Sequence, residues 1–430
     1  MCKYAIYNDQ SNMNSVKIMN CKVANSNIKT QGKEAAGIIG CAYGSREVTN
    51  ISITDCVVDN CDVLNRDTYS TYSASGGICG VLYEAGNINI NNNIVNKTSI
   101  ESSLGTSSYA NDCNVGGIIG GTWSLSKSKI SNNDVLDSTI NNNGSTSDGC
   151  STIGGVVGLL GMQDNNEAIG DISNCNIINT DITTHAGNLG GILGVGYKGY
   201  TGEAYKITNC KVEGGTLYSD ATNSSNSVIA GIGAAFYGRG ELYGCTVNNC
   251  HILQKTKEES AGTNTAGIVG WGYQSIIVDN CNVYNSEIYS EGKYGTFSGM
   301  ACTAGIASCV MNGAKITNSN VDNTTITSTK GANATGILAT TLSSDAVVEN
   351  CSVTNSDITN LTTVDTNSGN ATSSGLIGNS YGSNGAIINN CKVEKTNIIG
   401  NGAIMSGVMA CGNTINTVSY THLTLPTKLE

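Results

Sequence analysis

An eleven-residue alternation of apolar and polar positions recurs eleven times between Ile18 and Ile398. Its clearest copy is ISNCNIINTDI, Ile172 to Ile182. With the first Ile as position 0, copies begin at Ile18, Ile53, Ile90, Ile130, Ile172, Ile207, Leu242, Val278, Ile316, Val348 and Ile388, at intervals of 32 to 42 residues. Position 5 is Val or Ile and position 10 is Ile, Val or Leu in every copy. A period of this length marks a solenoid or a comparable array. Apolar positions 0, 3, 5 and 10 fit neither one helical face nor one uninterrupted strand, and β-branched residues favour pleated, half-buried surfaces.

The alternation breaks at positions 2 and 7, where the residue types change together. Position 2 holds nine Asn, Asp55 and Gly244; position 7 holds seven Asn, Asp137, Gly214, Lys97 and Lys395. Asn, Asp and Gly tolerate left-handed backbone, so both positions read as tight bends that reset which side chains point inward. Positions 0, 3, 5 and 10 then face one interior, and Ser173, Asn176 and Asp181, at positions 1, 4 and 9 of the fifth copy, face water. A second module follows each template after a loop of variable length: AGIIG at Ala36, GGICG at Gly76, GGIIG at Gly116, GGVVG at Gly154, GGILG at Gly190 and six later variants. One template and one module make one coil. Three short strands per coil, stacked in register, predict an all-β chain: a parallel β-helix of about 11 coils, right-handed by analogy with most such folds. Coils about 4.8 Å apart would make a rod on the order of 50 Å long, each coil burying its apolar side only against its neighbours.

Composition removes other classes. A chain of 430 residues would ordinarily divide into domains, but no linker or composition shift interrupts the repeats, and residues 1–417 read as a single array. The one proline, Pro426, lies outside the repeats, as ladders that need every N–H require. A net charge of −11, with Lys and Arg scattered along the chain, argues against a nucleic-acid partner. No run approaches the roughly 20 apolar residues of a membrane span, and MCKYAIYNDQSN has no signal-peptide core. The chain opens close to a coil already in progress, so a fragment of a longer protein is expected. Val418 to Glu430 breaks the eleventh coil; Val418 to Thr427 corresponds to one translated frame of a transposase-library sequencing adapter, so residues 418–430 are expected to be a non-native tail outside the fold.

The modules, together with the I-x-N-C-x-V-x-N start of the template, resemble the GLUG-motif repeats of bacterial surface proteins over nearly all of residues 1 to 417. This chain has Ile or Val more often than Leu in the module, and Asn-rich bends. The resemblance implies a secreted or cell-wall location, a β-helical fold, and an adhesin-like role as stalk or binding surface toward a host or bacterial surface glycan or protein. No catalytic residue and no cofactor belong to such a repeat.

Eight of the 18 cysteines occupy position 3: Cys21, Cys56, Cys175, Cys210, Cys245, Cys281, Cys351 and Cys391. An inward Cys beside a bend serves as a small hydrophobe. Metal binding fails on spacing, since there is no C-x-x-C pair and the three His fall outward (His251), in a loop (His185) and in the tail (His422). Disulfides stay open for the loop thiols Cys113 and Cys150. The strings Gly378 to Gly382 (G-x-S-x-G) and Gly194 to Gly199 (G-x-G-x-x-G) need a strand before and a helix after, and no helical pattern follows either. A polysaccharide-cleaving β-helix would need acidic and basic side chains gathered on one face, whereas outward positions are mostly Ser, Thr and Asn.

One stripe carries candidate chemistry. Seven residues after each module start stand Tyr43, Tyr83, Trp123, Gly161, Tyr197, Tyr237, Tyr273, Met311, Leu342, Tyr381 and Asn413. Seven aromatics at one angular position predict a line of rings along the rod. Two readings compete: stacking that closes the corner after the module, and a platform for an extended glycan centred on Tyr197, Tyr237 and Tyr273 with Trp271 alongside.

Overall fold

The computed structural model describes residues 15–43, 50–67, 72–83, 86–104, 112–123, 127–144, 151–161, 169–185, 187–197, 203–220, 226–255, 262–292, 301–331, 333–343, 345–362, 371–381, 385–401, 404–412 and 415–423. Among these residues all regular structure is β-strand. Ten coils have five strands each rather than three, and in the eleventh the first two are continuous; in the fifth coil they are Ile169–Ser173, Asn176–Ile178, Asp181–Thr184, Asn188–Gly190 and Leu193–Gly196. The bends at positions 2 and 7 cut the template into three strands, and the module supplies two more. The extra strands are hidden in the sequence because the three residues before each sharp turn, such as Asn188–Gly190, have little apolar alternation.

Strands of like rank stack in parallel. The third, fourth and fifth strands form three sheets of eleven strands each, and the first and second share a 22-stranded sheet, joined through Ala386–Glu394, which runs through both ranks. The register carries each template position onto its own copy: Ile172 onto Ile207, Ile177 onto Val212 and Ile182 onto Leu217.

The bends take the expected conformation. Twenty described non-glycine residues have φ between 46° and 59°, and all occupy position 2 or 7; Gly244 (63°) and Gly214 (67°) supply the remaining two bends. Stacking continues through the bend, since the Asn174 N–H donates to Thr208 O at 2.9 Å. The amide side chains form ladders of their own: Asn350 Nδ2 donates to Asn318 Oδ1 at 3.2 Å, and Asn390 Nδ2 to Asn350 Oδ1 at 2.8 Å.

Position 3 does more than fill space. The turn leaves the position-1 carbonyl facing the next side chain, and the thiol donates to it: Cys175 Sγ to Ser173 O at 3.4 Å, Cys351 Sγ to Glu349 O at 3.2 Å. Ser319 makes the same bond to Thr317 O at 2.8 Å. Position 8, which the alternation does not single out, repeats the device: Thr180 donates to Ile178 O at 3.0 Å and Ser286 to Tyr284 O at 2.6 Å. Asn133, at position 3 and fully buried, donates to Ile90 O at 3.0 Å. These carbonyls also accept the bend N–H of the preceding coil, Ser173 O from Asn132 and Ile178 O from Asp137, each at 3.0 Å, so the added bond serves the buried donor and avoids the roughly 1–3 kcal/mol cost of leaving it unmade.

The second glycine of each module is fixed by space rather than by dihedral. A Cβ on Gly155 would lie 1.9 Å from Gly191 O and 2.8 Å from Ile177 Cγ1; one on Gly191 would lie 2.0 Å from Gly231 O and 2.9 Å from Val212 Cγ2. The turn between the fourth and fifth strands therefore approaches both the next coil and the position-5 side chain across the core. Two aromatics enter the main core. Tyr205 is 1 % exposed, donates its hydroxyl to Tyr197 O at 2.8 Å, and occupies room left by Gly170, whose Cβ would lie 2.6 Å from the ring. Phe236 fits against Gly233 and Gly240 in the same way.

Two expectations are corrected. Cys113 lies buried on the strand Asp112–Gly116 and is not a loop thiol, because its strand pairs on both sides; Cys150 lies outside the described residues. Cys21 alone of the position-3 thiols is exposed. Ile415–Leu423, which includes the first residues of the expected tail, pairs in parallel with Ala386–Glu394, with register shifts. An open ladder edge accepts any segment of adequate β-propensity, and Val418, Tyr420, Thr421 and Leu423 provide one.

Two outcomes follow. Asn174→Val forces a β-branched residue into left-handed backbone and should destabilise by about 1–2 kcal/mol, whereas Asn174→Gly should be within a few tenths; urea denaturation of both variants checks this. Burial holds the Tyr205 phenol well above the usual tyrosine range. Its contribution is therefore intact below the unfolded-state value near ~10 and fades as pH rises past it. Tyr205→Phe should be less stable at neutral pH by about 0.5–1.5 kcal/mol, from loss of the bond to Tyr197 O, and should show a shallower alkaline decline in melting temperature.

Candidate functional site

In the first seven coils, residues five and seven places from the module start, on the fifth strand or just after it, lie away from the main core. With Ala74 of a fourth strand they build a separate apolar cluster of Cys41, Val81, Trp123, Leu159, Val195 and Ala235, with Tyr83, Tyr197, Tyr237 and Trp271 packed against it. The rings are the outer layer of this cluster. The corner-closing reading of the aromatic stripe thus has a structural counterpart, and a half-buried ring keeps part of its surface for a ligand.

The geometry divides the stripe in two. Tyr83 and Trp123, in register, stack with centroids 4.9 Å apart and planes 11° from parallel. Gly161 then interrupts the line; a Cβ there would lie 2.4 Å from the Tyr205 hydroxyl. Beyond it, Tyr197 and Tyr237 lie 4.7 Å apart with a 36° tilt. The expected continuation from Tyr237 to Tyr273 is replaced by Trp271, whose ring meets Tyr237 edge-on at 5.3 Å and Tyr273 edge-on at 6.2 Å. The reason is register: Trp271 pairs with Ala235 in the inner row, and an indole opposite an alanine reaches outward between the two tyrosines. The four residues named from sequence do come together, as two tilted faces closed by an indole wall instead of a flat row. Tyr381 belongs to a later coil, and Tyr43 is in backbone register with Tyr83.

A second constellation, on the third sheet of coils five to eight, lies outside what the repeat pattern predicts. Tyr218, Leu253 and Tyr289 are in register on its outer face. Beside them His185 Nδ1 lies 2.5 Å from Asp220 Oδ1, and His251 Nδ1 lies 2.9 Å from Glu287 Oε2. The Tyr289 hydroxyl donates to Glu291 at 2.9 Å, and Lys255 Nζ stands 6.0 Å from the Tyr289 ring centroid. Burial, with Glu291 close by, raises the Tyr289 phenol above the usual range. The one signal in the sequence is positional: His251 and Glu287 both occupy position 9, in consecutive copies.

The other motifs acquire no chemistry. Ser380 ends the buried strand Ile377–Ser380 and bonds Thr341 Oγ1 at 3.3 Å; Gly194 lies within a strand, and no helix occurs among the described residues. Among the described residues no group of three or more His, Cys, Asp and Glu is placed to hold a metal. No disulfide joins the described cysteines to one another. Among the described residues no helix is long and apolar enough to cross a membrane. No family model, curated protein or solved structure matches the chain.

Thiol accessibility gives a direct check on this arrangement. Under native conditions iodoacetamide should label Cys21 fast and Cys411, which is half-buried, next. The other seven position-3 thiols should react only after unfolding, and native labelling of Cys210 or Cys245 would contradict the inward placement.

Proposed function

We propose that this chain is a non-catalytic, secreted or cell-surface β-solenoid that serves as an adhesin-like stalk and binding surface, with surface glycans as the favoured partner. The observation that carries the reading is the group Tyr197, Tyr237, Trp271 and Tyr273: four aromatic rings on three consecutive coils, half-buried and outside the main core. The exposed part of a ring offers the apolar face against which the C–H groups of a pyranose pack. The resemblance of the modules to GLUG-motif repeats agrees with a surface location and with the lack of chemistry in the repeat.

A carbohydrate-cleaving function is the second reading, favoured by the His, Tyr, Glu and Lys side chains gathered on the third sheet around Tyr289. Each carboxylate there is already engaged by a partner in the same group, Glu287 by His251 and Glu291 by Tyr289, which suits a fixed surface better than a free acid and base.

The test is a glycan array probed with the full chain, followed by Trp271→Ala and Tyr237→Ala. Retention should fall at least tenfold in both variants while the melting temperature stays within a few degrees. Undiminished retention would overturn the aromatic site, and release of reducing ends from any retained glycan would overturn the non-catalytic reading.

A further inference from the structure

We propose that Cys302 and Cys309 are a disulfide-forming pair that staples the arch of the eighth coil, whose arms are the strands Cys302–Ala304 and Ala307–Val310. The two stand seven residues apart, two places before the module start and five after it. The third coil gives the distance between these places. A Cβ on Gly121 would lie 3.5 Å from the Asn114 Cβ, and Asn114 and Gly121 hold the same two places about their own module. Strand pairing carries them, rung by rung, onto Cys302 and Cys309. A Cβ separation of about 3.5–4.5 Å is what a disulfide spans. Side chains at the two places also meet across neighbouring coils, where Asn379 Nδ2 donates to Asn333 Oδ1 at 3.1 Å. In every other coil at least one of the two places holds a residue other than Cys, so the eighth arch alone brings two thiols together there.

Both thiols are enclosed, and that sets when the bond is made. Each is at most 1 % exposed. Asn333 of the next coil donates to Cys302 Sγ at 3.4 Å, and Cys309 lies between Trp271 and Thr340 in its row. Burial raises both thiols, Cys309 to about 12, so neither supplies a thiolate for exchange once the arch is packed. The bond is therefore made before the coil packs and is then kept by the packing. With a low-molecular-weight disulfide such as oxidised glutathione, one thiolate of the unpacked arch attacks a glutathione sulfur, forming a mixed disulfide and releasing one glutathione thiolate. The other cysteine loses its proton and attacks the protein-side sulfur, expelling the second glutathione. Two protein thiols become one S–S bond, the glutathione S–S bond is broken, and the two protons leave on two glutathione thiols.

The full chain is produced by export to an oxidising compartment, unfolded in guanidinium chloride with iodoacetamide, and digested with trypsin without reduction. The tryptic peptide of residues 294–315 holds these two cysteines and no other, and its recovery unlabelled and two hydrogen masses light is expected. Tris(carboxyethyl)phosphine should leave the bond intact in the native chain and cleave it readily after unfolding. The melting temperature of this preparation should exceed that of chain made under reducing conditions by several degrees, a difference that the double variant Cys302→Ala, Cys309→Ala should lose. Alanine is native to both places, at Ala74 and Ala235, so the variant keeps the fold. The proposal is overturned if both thiols carry label, if either is bonded to a cysteine outside this peptide, if the native chain loses the bond to reductant as fast as the unfolded chain does, or if the variant keeps the whole difference in melting temperature.

Discussion

Every residue in the ladders of this molecule has its own copy as nearest neighbour along the rod, about 4.8 Å away, and that constraint selects the residue types throughout. A position is viable only if its side chain tolerates itself. β-branched aliphatics do so by packing, Asn by donating from one rung to the acceptor of the previous one, and thiols and hydroxyls by turning to the carbonyl two residues before them, across their own bend. Like charges fail the test, and the chain replaces repetition by alternation: Lys129 pairs with Asp171, Asp171 with Lys206 and Lys206 with Glu241 along one row of the first sheet. His185 over Asp220 and His251 over Glu287 obey the same rule on another face.

The same constraint decides which features are legible in the sequence. Bends, inward template positions and the stacking register are legible because each is written many times over, and a residue such as Lys97, at 47°, is recognised as a bend by its copies rather than by its own chemistry. Features occurring once are not legible. Trp271 belongs to the row of Ala235, and its effect on Tyr273 depends on the size of that single neighbour. The fourth strand goes unmarked because it is short and sets at most one or two apolar residues, such as Ile153 or Leu189, among small or polar neighbours. The pairing of Ile415–Leu423 reflects an available edge, which is a property of the fold and leaves no mark in the segment itself.

The proposed surface is tied to the core through one residue. Tyr205 occupies the interior of the sixth coil and bonds the carbonyl of Tyr197, so an inner ring holds the backbone from which an outer ring projects. The gap in the stripe at Gly161 has the same origin, since a side chain there would meet the Tyr205 hydroxyl. The position of the aromatic group along the rod is thus set from inside.

Loops absorb the differences in coil length while the ladders keep one register, so most coils are interchangeable units. Duplicating a coil would lengthen the molecule by a single step of about 4.8 Å with matching partners at the apolar and bend positions, and only a charged row such as that of Lys129 and Asp171 would then set like charges on one another. Coils five to seven are the exception, because Tyr205 requires Gly170 in the coil before it and Phe236 requires Gly240 in the coil after. Growth or loss of a coil is therefore more disruptive within that block than on either side of it, and the block carrying the four rings behaves as one unit.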